Sequence, residues 1–265
     1  RVAIELSSKK SARLNQILSM LEETSTLSVK EIAQRLNVSE MTIRRDLKAM
    51  QQDEIIRRSH GKASLMQNSR VETQYDNYEL HSEKIRMNEE KERIGKYAAS
   101  LVHEGDVFII DTGSTTDKLA KHIPENIETT ILCYNYNVLT YLVRKPLVNI
   151  IFPGGYFHPN GQFFESSQGI KLIEEIRVNK IFISASGIHE NLGITCANNY
   201  EVLTKRTALQ SAQTHILLAD SSKFGKIRPA YFAQLSEIDM VITDNGLPHE
   251  WKEILAGNGI DLKIV

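Results

Sequence analysis

Hydrophobic residues near the start of the chain recur with the period of amphipathic helices. In a first predicted helix they follow the spacing i, i+3, i+4, i+7, at Leu14, Ile17, Leu18 and Leu21. The same spacing predicts a second helix, at Val29, Ile32, Ala33 and Leu36. Ser28 and Glu31 have the spacing of a capping box, which favours a helix that begins at this point.

A third helix is predicted shortly after the second. A turn at Asn37 and Val38 separates the two, and Ser39 is a favourable N-cap residue. The apolar positions of the third helix are Ile43, Leu47 and Met50. Two helices joined by so short a turn, each with one apolar face, predict a helix-turn-helix.

The next residues have the pattern of a small hairpin. Ile55–Arg58 predict one strand, His60 and Gly61 the turn, and Ala63–Leu65 the returning strand. A hairpin placed after a helix-turn-helix is a wing. Residues 66–82 are polar and have no sustained period, which predicts a linker.

From residue 83 onwards, short apolar runs alternate with helical patterns. A helix beginning near Glu83 comes first, and the apolar runs are Val107–Ile110 and the segments ETTILCY, VNIIF, KIFISAS, THILLA, DMVIT and DLKIV. Helical patterns lie near residues 115–123, 136–144, 166–177, 200–212 and 248–256. This alternation predicts an α/β domain with a mostly parallel sheet and helices on both faces. The predicted organisation is a winged helix-turn-helix at residues 1–65, a linker at 66–82 and the larger domain at 83–265.

Charge is distributed unevenly along the chain, although the formal net charge is only −1. Residues 1–62 contain twelve Lys or Arg against eight Asp or Glu, and the remainder contains twenty against twenty-five. A basic first part joined to an acidic second part is typical of a DNA-binding module attached to a domain with another role.

The exposed face of the third helix has the chemistry that binds DNA. It lies opposite the apolar face when each residue is stepped by 100°. Arginine binds guanine O6 and N7 or phosphate oxygens, and lysine neutralises phosphate. Hydroxyl and free N–H groups at the helix start suit a phosphate or a base edge. The alternative is a solvated basic face on an ordinary helical domain. With the wing included, the predicted DNA-binding residues are Ser39, Met41, Thr42, Arg44, Arg45, Lys48, Arg57 and Arg58.

Polar clusters follow several of the predicted strands. The segment DTGSTT stands where one strand ends and a helix begins, so its glycine, hydroxyls and first-turn N–H groups favour a bound anion. A capped helix after a tight turn is the alternative. Because ligands of open parallel sheets bind beyond the carboxyl ends of the strands, we expect these clusters to converge on one site. The candidate ligand-binding residues are Asp111, Gly113, Ser114, Thr115, Thr116, Asn135, Asn137, Gly154, Gly155, Gly187 and Lys223.

The stretch VSEMTIRRDLKAMQQDEIIRRSHG resembles the helix-turn-helix and wing signature of the DeoR family of bacterial sugar-metabolism repressors. The resemblance continues through DTGSTT, PGG, SASGI and LADSSKFGK and covers nearly the whole chain. One departure is Lys62, where many relatives have a second glycine. The resemblance implies operator DNA as a partner, a sugar-phosphate-isomerase-like larger domain and a phosphorylated sugar as effector. A narrower resemblance, to members that regulate deoxyribonucleoside breakdown, implies deoxyribose 5-phosphate; it lies in CYNYN, PGGYFHPN, GITCANN and KFGKIRPA.

An isomerase-like enzyme with an appended DNA-binding module is the competing hypothesis. Residue types that act as acids, bases or electrostatic groups are present at Asp111, His189, Glu201 and Lys223. The sequence contains no GxSxG elbow, HExxH helix, P-loop or extended dinucleotide fingerprint. We expect His189 to be a loop histidine, and Glu201 either begins a helix or touches a sugar hydroxyl. These observations favour a sensor without turnover.

The remaining features argue against a metalloprotein, a membrane protein and an exported protein. Cys133 and Cys196 lie far apart with no CxxC pair or histidine cluster, which predicts plain buried thiols and no metal or other cofactor. No run of about 18 apolar residues exists to span a bilayer, and the start lacks a signal-peptide pattern. We therefore expect a cytoplasmic protein without membrane contact. Homo-oligomerisation is expected because paired half-sites increase the affinity for DNA.

Overall fold

The computed structural model describes residues 13–14, 16–17, 20–21, 24, 26–52, 56–59, 62–65 and 87–265. The chain divides into two compact units, residues 1–89 and residues 90–265. The predicted linker at residues 66–82 and the predicted helix start near Glu83 lie outside the described residues.

The first unit has the element order of a winged helix-turn-helix. Residues 13, 14, 16, 17, 20, 21 and 24 are helical. The elements that follow are β1 (Thr26–Ser28), α1 (Val29–Leu36), α2 (Glu40–Gln52), β2 (Ile56–Ser59) and β3 (Lys62–Leu65). The strands form an antiparallel sheet in the order β1-β3-β2. Strand β1 was not predicted, because its three residues are too few to show a period.

The helices of this unit begin and end where the capping residues predicted. Ser28 Oγ accepts a hydrogen bond from Glu31 N at 3.2 Å, and Glu31 Oε2 accepts one from Ser28 N at 2.7 Å, which completes a capping box. Helix α1 ends at Asn37, whose φ of 51° is the left-handed conformation common at helix ends. The predicted apolar faces pack together in one core that contains Ile17, Leu21, Ile32, Ile43 and Leu47.

The second unit is built around a seven-stranded sheet. Its helices are α3 (Asn88–Ala99), α4 (Ser114–His122), α5 (Tyr136–Leu142), α6 (Ser167–Glu175), α7 (Asn199–Ser211) and α8 (His249–Gly257). The strands of the sheet are β4 (Val107–Ile110), β5 (Thr129–Cys133), β6 (Val148–Ile151), β9 (Val178–Ser184), β12 (Ala212–Leu218), β14 (Met240–Thr243) and β15 (Asp261–Ile264). All six strand pairs are parallel. The predicted fold class is confirmed.

Alternate residues of each strand pack into two different cores. In β4, Phe108 and Ile110 lie in a core with α3, α4 and α5, whereas Ile109 lies in a core with α6, α7 and α8. Both faces of the sheet are therefore covered by helices, as expected for a parallel sheet. In the described parts of the chain, none of the helices has the length and apolarity that crossing a membrane requires.

Two small antiparallel elements extend the unit and were not predicted. Strands β7 (Tyr156–His158) and β8 (Phe163–Glu165) form a hairpin, and β10 (Gly187–His189), β11 (Gly193–Cys196) and β13 (Ala230–Ala233) form a three-stranded sheet in that order. Strands of three or four residues carry little pattern, and the pairing of β11 with β13 joins distant parts of the sequence.

The strand order places a topological switch point at the centre of the large sheet. The order is β15-β14-β12-β9-β4-β5-β6. From β4 the chain first builds one side of the sheet with β5 and β6. It then returns to the other side of β4, where β9, β12, β14 and β15 follow in order. In open α/β sheets, ligands bind outside the carboxyl ends of the strands at such a point. The residues after β4 and β9 therefore lie where a ligand site is expected.

Candidate functional site

Helix α2 has one buried apolar face and one exposed cationic face. Ile43 and Leu47 have no exposed surface, whereas the Met41 side chain is 70% exposed. The cationic side chains of α2, all exposed, are Arg44, Arg45 and Lys48. The helix therefore presents a positive face to solvent.

The residues at the start of α2 are partly engaged with one another. Thr42 N donates to Ser39 Oγ at 3.2 Å, so Ser39 caps the helix as predicted, and the two hydroxyl oxygens lie 2.9 Å apart. Arg44 Nη2 lies 3.4 Å from Glu40 Oε2 in an exposed i, i+4 ion pair. Such a pair is worth only about 0.3–0.5 kcal/mol, so Arg44 is readily released to another anion.

One contact that supports α2 was not predicted. Arg13 Nε donates to Asp46 Oδ2 at 2.6 Å, and Asp46 is almost fully buried. Asp46 lies on the helix between Arg45, which is exposed, and Leu47, which is buried. The ion pair fixes α2 to the first helical segment.

The predicted wing is an antiparallel hairpin. Arg57 and Arg58 lie on β2, opposite Ser64 and Ala63 of β3. The predicted turn at His60 and Gly61 lies outside the described residues.

The segment after β4 lies at the switch point, and its first residue is engaged by protein groups. The carboxylate of Asp111 is fully buried. It accepts hydrogen bonds from Tyr134 Oη at 2.8 Å, Ser184 N at 2.9 Å and Ser184 Oγ at 3.2 Å, and it forms an ion pair with Lys205. Asp111 therefore joins the ends of β4, β5 and β9 and has the geometry of a positioning residue.

The next two residues pack closely against neighbouring segments. Thr112 Oγ1 donates to Gly161 O at 3.1 Å. A Cβ atom at Gly113 would lie 2.4 Å from Ser184 Oγ, so only glycine fits here. The reason is close approach, since the backbone of Gly113 is extended.

The first turn of α4 carries polar groups that no side chain caps. Its N-cap residue is Gly113, which has no side chain to accept from the first N–H groups. Thr116 Oγ1 donates to Gly113 O at 2.9 Å. The hydroxyls of Ser114 and Thr115 have no hydrogen-bond partner among the residues that the structure describes. Free N–H groups and hydroxyls at a helix start form a favourable site for an anion.

The two candidate asparagines have different surroundings. Asn135 Nδ2 donates to Thr112 Oγ1 at 2.6 Å and to Gly161 O at 3.2 Å, and its Oδ1 caps α5 by accepting from Asn137 N and Val138 N. Its hydrogen-bonding groups are thus used within the protein. Asn137 Nδ2 is buried and has no hydrogen-bond partner in the described part of the chain. Of the two, Asn137 has a donor to offer a ligand.

The structure does not bring every candidate residue into contact with the start of α4. Gly154 and Gly155 have φ values of 65° and 119° in the turn after β6, and a Cβ at Gly155 would lie 2.1 Å from Glu165 O. Gly187 packs against Lys226 O. Lys223 ends a short 3-10 turn after β12, and β12 lies two strands, about 10 Å, from β4 in the sheet. The glycines have structural explanations, and Lys223 borders the same edge.

Three residues complete a buried polar cluster around Asp111: Tyr134, Ser184 and Lys205. Ser184 belongs to a polar segment that was predicted to follow a strand at this site, whereas Tyr134 and Lys205 were not predicted. Glu201 belongs to the cluster as well, because Asn198 Nδ2 donates to Glu201 Oε1 at 2.7 Å and Lys205 Nζ lies 3.9 Å from Glu201 Oε2. Lysine and glutamate four residues apart on a helix usually mark a solvated face, so their burial is not visible in the sequence.

Burial shifts the protonation of this cluster. It raises the pKa of Glu201 to about 7, although the charge of Lys205 acts in the opposite direction. Burial, reinforced by the charge of Asp111, raises the pKa of Tyr134 well above its usual value. For Lys205, burial lowers the pKa, but the neighbouring carboxylates outweigh it and the pKa is raised. Lys205 therefore keeps its positive charge beside Asp111, while Glu201 titrates near neutral pH.

The other groups considered for acid–base chemistry are engaged in structure. His189 Nδ1 accepts from the backbone N–H groups of Asn191 and Leu192, so this histidine orders the turn between β10 and β11. Cys133 and Cys196 are free and buried, as predicted. Burial raises the pKa of each thiol to about 12, so neither thiol forms a reactive thiolate near neutral pH.

Comparisons with known proteins cover both units. A family model described as "DeoR-like helix-turn-helix domain" matches residues 13–69, and one described as "DeoR C terminal sensor domain" matches residues 86–245. The deoxyribose operon repressor of Escherichia coli (strain K12) is 33% identical over 242 residues, which cover 90% of this chain and 92% of that protein. The HTH-type transcriptional repressor GlcR of Bacillus subtilis (strain 168) is 33% identical over 254 residues, which cover 95% of each. Ribose 5-phosphate isomerase A from Methanocaldococcus jannaschii is a solved structure with a TM-score of 0.39 and 16% identity, covering 52% of this chain and 55% of that one.

Proposed function

Because this chain belongs to the DeoR family of transcriptional repressors, we propose that it binds operator DNA through α2 and the β2–β3 hairpin and leaves the operator when a phosphorylated sugar binds. Its relatives are named repressors, so the chain is a regulator and not an enzyme. The observation that carries the proposal is the exposed cationic face of α2. We place the winged unit at residues 1–65, a linker at 66–82 and the sensor domain at 83–265.

The DNA-binding part of the proposal rests on charge and exposure. Arg44, Arg45 and Lys48 are exposed on a helix whose opposite face is buried, and the second helix of a helix-turn-helix enters the major groove. The exposed Met41 side chain suits apolar contact with a thymine methyl group. Ser39 and Thr42 lie at the helix start, and Arg57 and Arg58 in the wing would neutralise phosphates.

The test is binding to a DNA duplex selected by the wild-type protein from a random library. Arg45→Ala should weaken binding by about 1–3 kcal/mol if the guanidinium contacts a base edge. Arg44→Ala should weaken it somewhat less, because in the wild type Arg44 gives up its ion pair with Glu40 when it binds DNA. Lys171→Ala, which removes an exposed charge from α6, is the matched control. Wild-type affinity in the Arg44→Ala/Arg45→Ala double variant would refute the assignment.

The effector part of the proposal rests on the start of α4. This nine-residue helix has no side-chain cap, whereas α6, also nine residues and also beginning with serine, is capped by Ser166 Oγ. The Ser114 and Thr115 hydroxyls stand beside the uncapped N–H groups at the switch point of the sheet, where a phosphate would be favoured. Asn137 Nδ2 and Lys223 would contribute a donor and a positive charge. Asp111, Gly113, Thr116 and Asn135 would hold the site in shape.

Deoxyribose 5-phosphate is our preferred effector, since the deoxyribose operon repressor is among the relatives. GlcR is similar to the same extent, so the test is a thermal-shift panel of deoxyribose 5-phosphate, ribose 5-phosphate, glucose 6-phosphate and fructose 6-phosphate. A true effector at 100 times its dissociation constant should stabilise the protein by about 2.7 kcal/mol. Inorganic phosphate alone should give a much smaller shift.

The location of the site is tested by a carboxylate placed where the phosphate would lie. Ser114 is only 6% exposed, and an aspartate at this position is favoured by the dipole of α4. Ser114→Asp should keep operator binding and lose the response to the sugar phosphate, because its carboxylate repels an anion. Ser167→Asp, at the exposed start of α6, is the control for the added charge. A substitution at Gly113 is less informative, because any Cβ there meets Ser184. A normal response in Ser114→Asp would place the effector elsewhere.

We further propose that the protein acts in the cytoplasm as a homo-oligomer. A repressor works where its operator is, and two winged units bound to paired half-sites bind far more tightly than one. Light scattering of the free protein tests the assembly state, and a monomer at the concentration that saturates the operator would refute it.

A further inference from the structure

Helix α3 is the first described element after the β2–β3 hairpin, and it packs tightly against α4. A Cβ atom at Gly95 would lie 2.5 Å from Lys118 Cβ, so the two helices approach as closely as a glycine allows. Glu92 of α3 also lies 3.1 Å from Lys118 Nζ, 2.7 Å from Lys121 Nζ and 2.6 Å from His122 Nε2. These contacts hold α3 against the helix whose first turn is the candidate phosphate site.

Helix α3 is held at a second point, near the carboxyl ends of the strands, where the candidate ligand site lies. Lys91 Nζ lies 3.5 Å from Asp220 Oδ2, and both side chains are fully buried. Asp220 follows β12 and shapes the 3-10 turn behind it, because its Oδ1 accepts from Ser222 N at 3.1 Å and its carbonyl oxygen accepts from Lys223 N at 3.1 Å. Asp220 therefore contacts both α3 and the turn that carries Lys223, a turn that Asp244 also holds by accepting from Ser221 N and Ser221 Oγ.

A fully buried ion pair is better suited to fixing a geometry than to stabilising a fold. Removing two charges from water costs about as much as their attraction returns, so an apolar pair of similar volume is often at least as stable. Moving the two side chains apart is, however, costly, because each would then be a buried charge without an opposite charge beside it. A shift of the Asp220 turn is thus expected to move Lys91, and α3 with it.

We propose that α3 couples the ligand site to the DNA-binding unit, with the Lys91–Asp220 ion pair as its positioning contact. The inference rests on the function proposed above. A phosphate bound between the start of α4 and Lys223 draws both segments towards its oxygens, and both are fixed to α3. The chain that leads from the winged unit enters α3 at its N-terminus. A change in the position of α3 is therefore passed to that chain and alters how readily the winged unit binds the operator. The ligand acts by preferring one of two arrangements.

The decisive variant is Lys91→Met/Asp220→Asn, which removes both charges together and keeps an Oδ1 acceptor for Ser222 N. The control is Lys180→Met/Asp106→Asn, which removes another ion pair, 2.7 Å long and 14% exposed on each side, at the amino ends of β4 and β9. The probes are the selected DNA duplex and deoxyribose 5-phosphate, or whichever sugar phosphate of the panel stabilises the wild type.

In the wild type, the sugar phosphate should weaken operator affinity at least fivefold, the lower end of typical coupling. By calorimetry, the Lys91→Met/Asp220→Asn variant should bind the sugar phosphate with an affinity within about threefold of wild type. Adding the sugar phosphate should nevertheless change its operator affinity less than twofold. The control variant should keep the wild-type response. A full wild-type response in Lys91→Met/Asp220→Asn would overturn the inference.

Hydrogen exchange on the wild-type full chain gives a second test that needs no variant. Adding the sugar phosphate should change the exchange of the α3 amides and leave those of α8 unaltered. Unchanged α3 exchange while the operator is released would overturn the coupling role alone. If no sugar phosphate of the panel stabilises the wild type, the proposed effector function fails, and the coupling inference fails with it.

Discussion

Substituting Lys205 by methionine should destabilise the second unit strongly, because it leaves a buried carboxylate without its counter-charge. Lys205 and Asp111 are 1% and 0% exposed. Breaking such a pair by removing one partner costs about 3–5 kcal/mol. The lower end is expected here, since Asp111 keeps hydrogen bonds from Tyr134 and from Ser184.

The melting temperature converts this free energy into a measured shift. For a unit the size of residues 90–265, each 1 kcal/mol lowers the melting temperature by about 2–4 °C, so 3 kcal/mol predicts a decrease of about 6–12 °C. Thermal and urea unfolding of the full chain at pH 7 would measure it. Lys252→Met, an exposed lysine on α8, is the control and should change stability by less than about 0.5 kcal/mol.

The double variant Lys205→Met/Asp111→Asn shows whether the charge pair is the cause. With both charges removed, the unit should recover about 1–3 kcal/mol relative to the sum of the two single variants. A cost below about 1 kcal/mol for Lys205→Met would refute the reasoning. So would simple additivity in the double variant, because the two side chains would then be shown not to interact.

Three further predictions follow from single contacts. Burial raises the pKa of Glu201 to about 7 from its ordinary 4.5. Between these pH values the folded state binds a proton that the unfolded state does not, so the free energy of unfolding should fall as the pH rises from about 4.5 to 7. Glu201→Gln should flatten that pH dependence, and an unchanged dependence in urea unfolding would contradict the prediction. Gly113→Ala places a Cβ against Ser184 and should cost about 1–3 kcal/mol in thermal unfolding, with part of the loss recovered in Gly113→Ala/Ser184→Gly; an equal loss in both variants would argue against the clash. Lys48→Ala should reduce the slope of log affinity against log salt by about 0.9 if the ammonium contacts a phosphate, whereas an unchanged slope would place Lys48 away from the DNA backbone.

The sequence by itself determined the elements that have a clear period or a capping signal. The spacing of Ile32, Ile43 and Leu47 predicted the buried helix faces, and Ser28 with Glu31 predicted the capping box that the structure contains. The seven apolar runs were all found as strands of one parallel sheet. Capping and the periodic spacing of apolar residues involve residues close in sequence, so both are visible without the fold.

Only the tertiary structure decided which polar residues are engaged and which are free. Asp111 and Asn135 had the residue types expected of ligand-binding groups, yet their polar atoms are used by segments distant in sequence. Lys205, 94 residues after Asp111, and Lys91, 129 residues before Asp220, carry no sequence signal of pairing. Burial and the partners of a charge depend on how strands and helices meet in space, and that is set by the packing of the whole sheet and its helices.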